Sequence, residues 1–212
     1  MFNNEKKKIV APHRKFVKEA VLKKVCRKDV QKRMVWLFND LLVYTRSGMA
    51  EKKFTKPEMF SLLSARVEDL NGELDDYENS FVVFTSKKSF TFVASSAEEK
   101  KDWVLAIRKS IETAKKNKQT FFVESLNAES GEKEESFAVD NEQQYAPHWI
   151  PDKKRESCMK CEKKFNVIVR RHHCRACGWL VCGDCSKYRA TMKSISEEPV
   201  RVCRECFDKI SN

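Results

Sequence analysis

The sequence is poor in glycine and proline and contains no long apolar segment. Its 212 residues include 5 Gly and 5 Pro, a content that excludes collagen-like and Gly/Pro-rich low-complexity chains. No run of about 18 apolar residues is present, so no transmembrane helix is predicted. The N-terminal segment MFNNEKKKIV is basic but lacks the apolar core of a signal peptide. We therefore expect a cytoplasmic protein whose cysteine thiols stay reduced.

The sequence also lacks the short motifs that mark common catalytic sites. The patterns GxxxxGK, GxSxG and HExxH, which indicate phosphate-binding loops, serine hydrolases and zinc proteases, do not occur. Cys26 stands alone, without any sign of a partner base, and is interpreted as a strand residue. We therefore predict that the chain is not an enzyme.

What the chain does carry is positive charge, and this charge is segmented. The formal net charge is +11, which divides into +10 for residues 1–118, −6 for residues 119–148 and +7 for residues 149–212. The middle segment is rich in Ser and Glu and only weakly periodic, which indicates a linker. Two basic units joined by an acidic linker predict an anionic partner, either a nucleic acid or an anionic membrane.

The first basic unit is predicted to be rich in strands and to end in a helix. Apolar and alternating runs predict strands at residues 16–26, 34–38, 41–44, 59–67, 81–85 and 89–93. An Asn-Asp pair between the second and third runs is a hairpin signal. Ser95 or Ser96 is placed to cap the helix. One face of that helix carries apolar residues four positions apart: Trp103, Ile107 and Ile111.

The order of these elements, the hairpin sequence LFNDLLVY and Trp103 in the last helix resemble the pleckstrin homology (PH) domain. The resemblance implies an antiparallel β-barrel or sandwich capped by a C-terminal helix, with Trp103 in its core. Lipid-binding PH domains carry basic residues after the first strand. The corresponding loop here carries Lys24, Arg27, Lys28, Lys32 and Arg33, and the candidate lipid ligands among them are Lys24, Lys28, Lys32 and Arg33. Because Gln31 departs from the signature, a solvated basic loop is the alternative to a lipid site, and a small GTPase or another protein is an alternative partner.

Eight of the nine cysteines lie in the second basic unit and form four CxxC pairs. The pairs are Cys158/Cys161, Cys174/Cys177, Cys182/Cys185 and Cys203/Cys206. A two-residue gap lets both sulfurs face one ion, and zinc takes four thiolates tetrahedrally at about 2.3 Å. The four pairs therefore predict two structural Zn²⁺ sites; disulfides are the alternative, which a reducing compartment disfavours. Closed four-thiolate sites leave no open coordination position, so the zinc is expected to stabilise the fold.

Three motifs accompany these cysteines: WIPD at residues 149–152, RRHHCRACG at residues 170–178 and RVC at residues 201–203. Together with the cysteine spacing they resemble a FYVE zinc finger. The resemblance implies a small two-zinc cross-brace fold, a pairing that spacing alone does not show. One zinc is then held by Cys158, Cys161, Cys182 and Cys185, and the other by Cys174, Cys177, Cys203 and Cys206.

FYVE fingers bind phosphatidylinositol 3-phosphate, and the resemblance assigns roles to individual residues. The headgroup phosphates are expected to be surrounded by Arg170, Arg171, Arg175 and Arg201. Of His172 and His173, we expect His173 to contact the inositol hydroxyls. Asp152 is expected to accept hydrogen bonds from ring hydroxyls and to repel additional phosphates. Trp149 is expected to support the segment that carries Asp152. A solvated basic face or a nucleic-acid patch is the alternative for the basic run.

The basic run is preceded by the apolar stretch FNVIV at residues 165–169. By the same resemblance, Val167 and Ile168 lie at the tip of a loop that inserts into the bilayer. Full burial of such side chains stabilises binding by about 1.5–3 kcal/mol each. The alternative is an ordinary strand, in which alternation places these two residues on opposite faces.

The predicted organisation is an N-terminal tail (residues 1–13), a PH domain (14–118), an acidic linker (119–147) and a FYVE finger (148–210). This order resembles Phafin-type adaptors and the PH-FYVE segment of faciogenital dysplasia-type Rho guanine nucleotide exchange factors. We predict a phosphoinositide-binding adaptor in membrane trafficking, peripheral on early endosomal or phagosomal membranes. The alternatives are a membrane-targeting fragment of a larger Rho exchange factor and, although no nucleic-acid partner is expected, a zinc-dependent nucleic-acid binder.

Overall fold

The computed structural model describes residues 9–46, 57–70, 77–128, 145–192 and 195–211, with the backbone alone for residues 119–128. Within these residues the first unit is one antiparallel sheet of seven strands followed by a long helix. The strands are β1 (Phe16–Val25), β2 (Val30–Phe38), β3 (Leu41–Arg46), β4 (Glu58–Ser61), β5 (Ala65–Asp69), β6 (Ser80–Thr85) and β7 (Phe90–Val93). The helix is α1 (Ala97–Ala128).

The strand order across the sheet is β4-β3-β2-β1-β7-β6-β5. Strand β1 pairs with β2 from Phe16 to Val25 and also pairs with β7 through Lys23 and Lys24. It therefore joins the two halves of the sheet, and the loop that follows it lies beside the β6–β7 hairpin. This is the antiparallel sheet with a C-terminal helix that the sequence predicted.

The core of this unit is aromatic and is closed by α1. Trp103 and Ile107 are fully buried on the helix, together with Phe81 and Phe92 from the sheet. Truncating a buried aromatic side chain typically costs about 3–5 kcal/mol, so these rings carry much of the stability of the domain. The predicted helix start is confirmed, because the Glu99 amide donates to the Ser96 hydroxyl at 3.1 Å.

Two local predictions differ from the structure. The apolar run at residues 59–67 was predicted as one strand, but a turn divides it into β4 and β5. Leu62 is fully buried in that turn, and its carbonyl accepts from the Ala65 amide at 3.2 Å. The inward-facing leucine continues the apolar pattern, so periodicity does not reveal the reversal of the chain.

Helix α1 also continues to Ala128, ten positions into the segment assigned to the linker. The domain boundaries themselves stay predictions.

The second unit is small and is organised around its cysteines. Its elements are β8 (His172–His173), β9 (Leu180–Val181), β10 (Tyr188–Met192), β11 (Ser196–Val202) and α2 (Arg204–Ser211). Strand β8 pairs with β9 and β10 pairs with β11. Four cysteines and a few small apolar side chains, among them Val181 and Val202, form its buried core. So small a core needs a metal ion or another crosslink to be stable.

The chain between the units packs against the first one before it enters the second. The Ala146 amide donates to the Thr85 carbonyl at 2.9 Å, and the Ala146 carbonyl accepts from the Ser89 hydroxyl. His148 Nε2 and Thr91 Oγ1 are 2.7 Å apart. These contacts hold the start of the second unit along the β6–β7 hairpin. Among the described helices, none has both the length and the apolar character needed to cross a bilayer.

Candidate metal centres and phosphoinositide site

The structure gathers the eight C-terminal cysteines into two tetrads. One comprises Cys158, Cys161, Cys182 and Cys185, and the other Cys174, Cys177, Cys203 and Cys206, with all sulfurs of a tetrad within 4.8 Å of one another. A tetrahedron with Zn–S bonds of about 2.3 Å requires sulfur separations of about 3.8 Å, and the Cys161 and Cys182 sulfurs are 3.7 Å apart. The donor set and its spacing fit two structural Zn²⁺ ions, each of which crosslinks two separate CxxC turns.

The backbone around each tetrad favours thiolates. The Cys182 amide donates to Cys158 Sγ and the Cys203 amide donates to Cys174 Sγ, both at 3.3 Å. Burial opposes ionisation of Cys158, but the amide donors outweigh it and lower its pKa to about 7. A hydrogen bond from Cys177 lowers the pKa of Cys174 to about 4, and the same bond raises the pKa of Cys177. Binding of zinc would release the remaining thiol protons, because the thiolate is the form of cysteine that ligates the ion.

A glycine lets the WIPD segment lie directly on the second CxxC turn. Gly178 has φ +77°, a conformation that a side chain disfavours. A Cβ atom at Gly178 would stand 2.2 Å from the His148 carbonyl oxygen. The Gly178 carbonyl in turn accepts from the Ile150 amide at 3.2 Å. This close approach positions Trp149 and Asp152 against the basic run.

Trp149 forms a stack with the basic run. Its ring lies parallel to the His173 ring at a centroid distance of 4.7 Å, and the Arg175 guanidinium lies 4.3 Å from its centroid. Arg175 also donates to the His173 carbonyl at 2.8 Å. The role predicted for Trp149, support of the segment around Asp152, is compatible with this stack. The stack itself was not predicted, because sequence does not show which aromatic ring meets which imidazole.

The two histidines differ in exposure. His173 is 3% exposed, its Nε2 lies 2.7 Å from the Ile150 carbonyl oxygen, and burial lowers its pKa. His172 is half-buried and is the more accessible of the two rings, while the contact of His173 with the inositol hydroxyls stays a prediction. Burial also lowers the pKa of His172, as do nearby guanidinium groups. Both rings are therefore neutral near pH 7, and the positive charge of the site comes from arginine.

The arginine cluster, comprising Arg170, Arg171, Arg175 and Arg201, is held mainly by backbone contacts. The Arg175 amide donates to the Arg201 carbonyl at 2.9 Å, and the Arg201 guanidinium donates to the Ser186 carbonyl at 2.9 Å. The charges of Arg170, Arg175 and Arg201 all act on His172. Arg171 differs, since its guanidinium lies over the Phe165 ring at 4.8 Å. Three cations converging on one half-buried ring form an electrostatic site for an anion.

Asp152 contacts the first unit. Its Oδ2 accepts from Arg27 Nε at 2.8 Å, and its amide donates to the Arg27 carbonyl at 3.1 Å. Its Oδ1 is buried, lies 3.9 Å from His173 Nε2, and has no hydrogen-bond partner among the described residues. In the sequence, Arg27 is only one of several basic residues in the PH loop. A pairing across 125 positions leaves no local signal in the sequence.

Val167 and Ile168 form an apolar tip, and each is 86% exposed. The turn below them is closed by Asn166, whose side-chain oxygen accepts from the Ile168 amide at 2.8 Å and from the Val169 amide at 2.7 Å. The Asn166 amide donates to the Val169 carbonyl at 3.0 Å. This Asx-type turn breaks the strand alternation, so both apolar side chains project into solvent.

The basic residues predicted as a PH lipid site divide into two groups. Lys24 and Arg33 are buried and line a cavity of about 170 Å³ with Tyr44, Glu58 and Lys88, which we call the PH cavity. Burial lowers the pKa of Lys24. Lys88 was not predicted, although it occupies a basic hairpin turn.

The other two predicted residues, Lys28 and Lys32, do not line the PH cavity. Lys32 neighbours Arg33 in β2 and is exposed. Successive strand residues point to opposite faces, which separates it from Arg33. Lys28 is exposed in the β1–β2 loop.

Comparisons with known proteins identify both units. The family model described as PH domain matches residues 16–112, and the model described as FYVE zinc finger matches residues 148–212. Pleckstrin homology domain-containing family F member 2 of Gallus gallus is 36% identical over 204 residues, which cover 96% of this chain and 74% of the relative. FYVE, RhoGEF and PH domain-containing protein 6 of Homo sapiens is 40% identical over 207 residues, which cover 95% of this chain and 14% of the relative.

Among solved structures, the LM5-1 FYVE domain from Leishmania major is 38% identical and aligns with a TM-score of 0.29 over 35% of this chain and 90% of that domain. The assignment therefore rests on the sequence relatives and the two domain matches. PH and FYVE domains indicate binding to phosphoinositide lipids, and neither is a catalytic domain. The chain belongs to the family of proteins that join a PH domain to a FYVE zinc finger, together with the pleckstrin homology domain-containing family F proteins.

Proposed function

We propose that the chain is an adaptor whose FYVE finger recognises phosphatidylinositol 3-phosphate on early endosomal or phagosomal membranes. The observation that carries the proposal is the position of the arginine cluster, which the zinc-binding turns order, close to an exposed apolar tip. The first feature suits an anionic headgroup and the second suits the acyl region beneath it. A peripheral membrane protein needs both features on one face.

The chemistry of the cluster fits a phosphomonoester. Such a group carries close to two negative charges near neutral pH and offers three acceptor oxygens. Guanidinium groups can bind these oxygens in a bidentate manner. Arg170 is exposed beside His172, so its guanidinium is available to a phosphate while the neutral imidazole is available to a ring hydroxyl. We propose that Arg175 and Arg201 bind phosphate oxygens of the same headgroup.

Lysines around the tip add a less specific attraction. Lys153, Lys163 and Lys164 are exposed on the same small domain. A basic side chain near an anionic leaflet contributes about 1 kcal/mol, and this contribution weakens as salt increases. The lysines therefore favour anionic membranes in general, whereas the arginine cluster selects the phosphorylated headgroup.

For the PH domain we propose a second membrane or protein contact. The PH cavity gathers four cationic side chains, Lys24, Arg33, Arg46 and Lys88, which suits an anionic ligand. Glu58 occupies part of it and accepts from Lys88 Nζ at 2.7 Å. A ligand at this position must displace that carboxylate, so we expect weaker binding here than at the FYVE finger.

The alignment with FYVE, RhoGEF and PH domain-containing protein 6 supports a second candidate function. In this view the chain corresponds to the membrane-targeting segment of a larger Rho exchange factor. The lipid chemistry proposed for the FYVE finger is the same in both cases, and the experiment below applies to both.

Flotation of the full chain with neutral vesicles tests the proposal, with and without a few per cent phosphatidylinositol 3-phosphate. Wild type should float only with the phosphorylated lipid. Arg170→Ala should weaken flotation about tenfold, as expected for one lost charge-assisted contact. Arg204→Ala removes an exposed arginine that faces Asp208 on α2 and serves as the matched control. Equal binding to vesicles containing unphosphorylated phosphatidylinositol would refute the proposal, and tight binding to short RNA or DNA would favour a nucleic-acid binder.

A further inference from the structure

The β1–β2 loop of the PH domain reaches the FYVE finger through one arginine. Arg27 makes two contacts with Asp152, one from its side chain at 2.8 Å and one through its carbonyl at 3.1 Å. The loop is itself closed by a hydrogen bond from the Cys26 amide to the Asp29 carbonyl at 2.8 Å. These two backbone hydrogen bonds, one within the loop and one to Asp152, hold Arg27 beside the FYVE finger.

Arg27 lies beside the residues of the FYVE site. It lines one cavity of about 280 Å³ together with Trp149, His173 and Arg175. Its positive charge therefore faces the same space as these FYVE residues, although it belongs to another domain. The Arg27 side chain is 50% exposed. Guanidinium carries five N–H groups, and the contact with Asp152 uses only the one on Nε.

The contact also changes what Asp152 presents to a ligand. An unpaired carboxylate at this position would repel every phosphate, and would repel a headgroup with several phosphates most strongly. Here the Asp152 side chain is 15% exposed and its charge is offset by the Arg27 guanidinium at salt-bridge distance. Its effect on selectivity therefore depends on whether the PH domain supplies that guanidinium.

We infer that Arg27 is a residue of the FYVE headgroup site, contributed by the PH domain, and that its pairing with Asp152 sets how strongly the site discriminates by phosphate number. This inference rests on the proposed function and adds a residue and a specificity to it. Arg27 raises the affinity for any phosphorylated inositol headgroup. By neutralising Asp152 it also reduces the preference for one ring phosphate over two.

The experiment compares four forms of the full chain: wild type, Arg27→Gln, Arg27→Lys and Lys109→Gln. Lys109 is the control because it is an exposed cation on α1 of the same domain, outside the β1–β2 loop. Binding is measured on vesicles with phosphatidylinositol 3-phosphate or phosphatidylinositol 3,5-bisphosphate, and by calorimetry with soluble inositol 1,3-bisphosphate. Zinc content and the unfolding midpoint of each variant establish that its fold is intact.

Arg27→Gln should weaken binding to the monophosphorylated lipid and to the soluble headgroup about tenfold, the usual effect of losing one charge-assisted contact. It should weaken binding to the bisphosphate further, so that the preference for the monophosphate rises a few-fold. Arg27→Lys keeps the charge and should retain most of the wild-type affinity. Lys109→Gln should change binding to both lipids less than about twofold, because an exposed charge outside the site is screened by salt.

Three outcomes would overturn this inference and leave the proposed function intact. Unchanged affinity and preference in Arg27→Gln would show that Arg27 lies outside the site. Stronger binding would show that the contact closes the site. Weaker binding to vesicles with unchanged affinity for the soluble headgroup would show that Arg27 acts only on the membrane surface charge. If wild type itself fails to distinguish phosphorylated from unphosphorylated phosphatidylinositol, the proposed function fails and this inference fails with it.

Discussion

Replacing the apolar tip by serine separates membrane insertion from headgroup recognition. In the double variant Val167→Ser/Ile168→Ser both altered side chains are 86% exposed, so no core packing is lost. The turn is closed by Asn166 and by backbone groups rather than by the tip side chains. Exposed substitutions of this kind change the free energy of unfolding by less than about 0.5 kcal/mol. The fold and the zinc sites should therefore be unaffected.

The binding free energy that the double variant loses can be estimated from the exposed area of the same two side chains. Full burial of a valine or isoleucine side chain stabilises binding by about 1.5–3 kcal/mol. If the two tips enter the acyl boundary about halfway, their joint contribution is roughly 1.5–3 kcal/mol. The double variant should then bind vesicles about ten- to hundredfold more weakly than wild type.

The assay pairs flotation on vesicles containing phosphatidylinositol 3-phosphate with calorimetry on the soluble inositol 1,3-bisphosphate headgroup. We expect weaker binding to vesicles and unchanged binding to the soluble headgroup, since the tip does not carry the arginine cluster. Leu105→Ser is the control, because Leu105 is a 52% exposed aliphatic residue on α1 of the PH domain. Wild-type binding of the double variant to vesicles, or an equal loss for the soluble headgroup, would refute the reasoning.

Three further predictions concern stability. Cys174→Ser should lower the zinc content from two ions per chain to one and abolish the FYVE unfolding transition while the PH transition persists; two retained ions would contradict the tetrads. Gly178→Ala should destabilise the FYVE finger by at least about 2 kcal/mol in thermal unfolding, because the added Cβ meets the His148 carbonyl and φ is positive, and an unchanged midpoint would be inconsistent with this clash. Burial raises the pKa of Asp40, but the Arg14 guanidinium, 2.7 Å away, outweighs it and holds that pKa below its usual range. The pair therefore stabilises the fold above about pH 4 and loses this contribution as the pH falls through the folded-state pKa. Asp40→Asn should lower the urea stability of the PH domain by about 1 kcal/mol at pH 7 and by less at pH 3, and a pH-independent difference would exclude the charge pair as its cause.

The fold was predictable where a short-range pattern encodes it. Strand alternation, the Asn-Asp turn and the Ser96 cap lie within a few residues of the elements they define, and each appears in the structure. The turn at Leu62 was missed because a buried leucine in a turn looks like a strand residue. The outward projection of the tip depends on the Asn166 side chain, which pattern alone does not distinguish from a polar strand residue.

The candidate site shows the same division. The CxxC spacing pointed to two metal sites, and the tetrads group the cysteines as the family resemblance implied. The sequence did not indicate that the His173 ring is buried against Trp149 and lies within hydrogen-bond distance of the Ile150 carbonyl oxygen, and its contact with the inositol hydroxyls stays a prediction. Periodicity assigns neighbouring histidines to opposite faces but does not say which face a distant segment covers.

Four CxxC pairs and the local run of arginines and histidines can be read from the sequence alone, because ligand spacing and charge are properties of adjacent residues. The tertiary structure shows which CxxC pairs share a tetrad, which residues are accessible and which are paired. It brought Lys24, Arg33 and Lys88 into one cavity, and it joined Arg27 to Asp152 across 125 positions. The cavity depends on how the strands of the PH sheet pack, and the Arg27–Asp152 contact depends on how one domain docks on the other. The free energy of both is spread over many weak contacts with no sequence period.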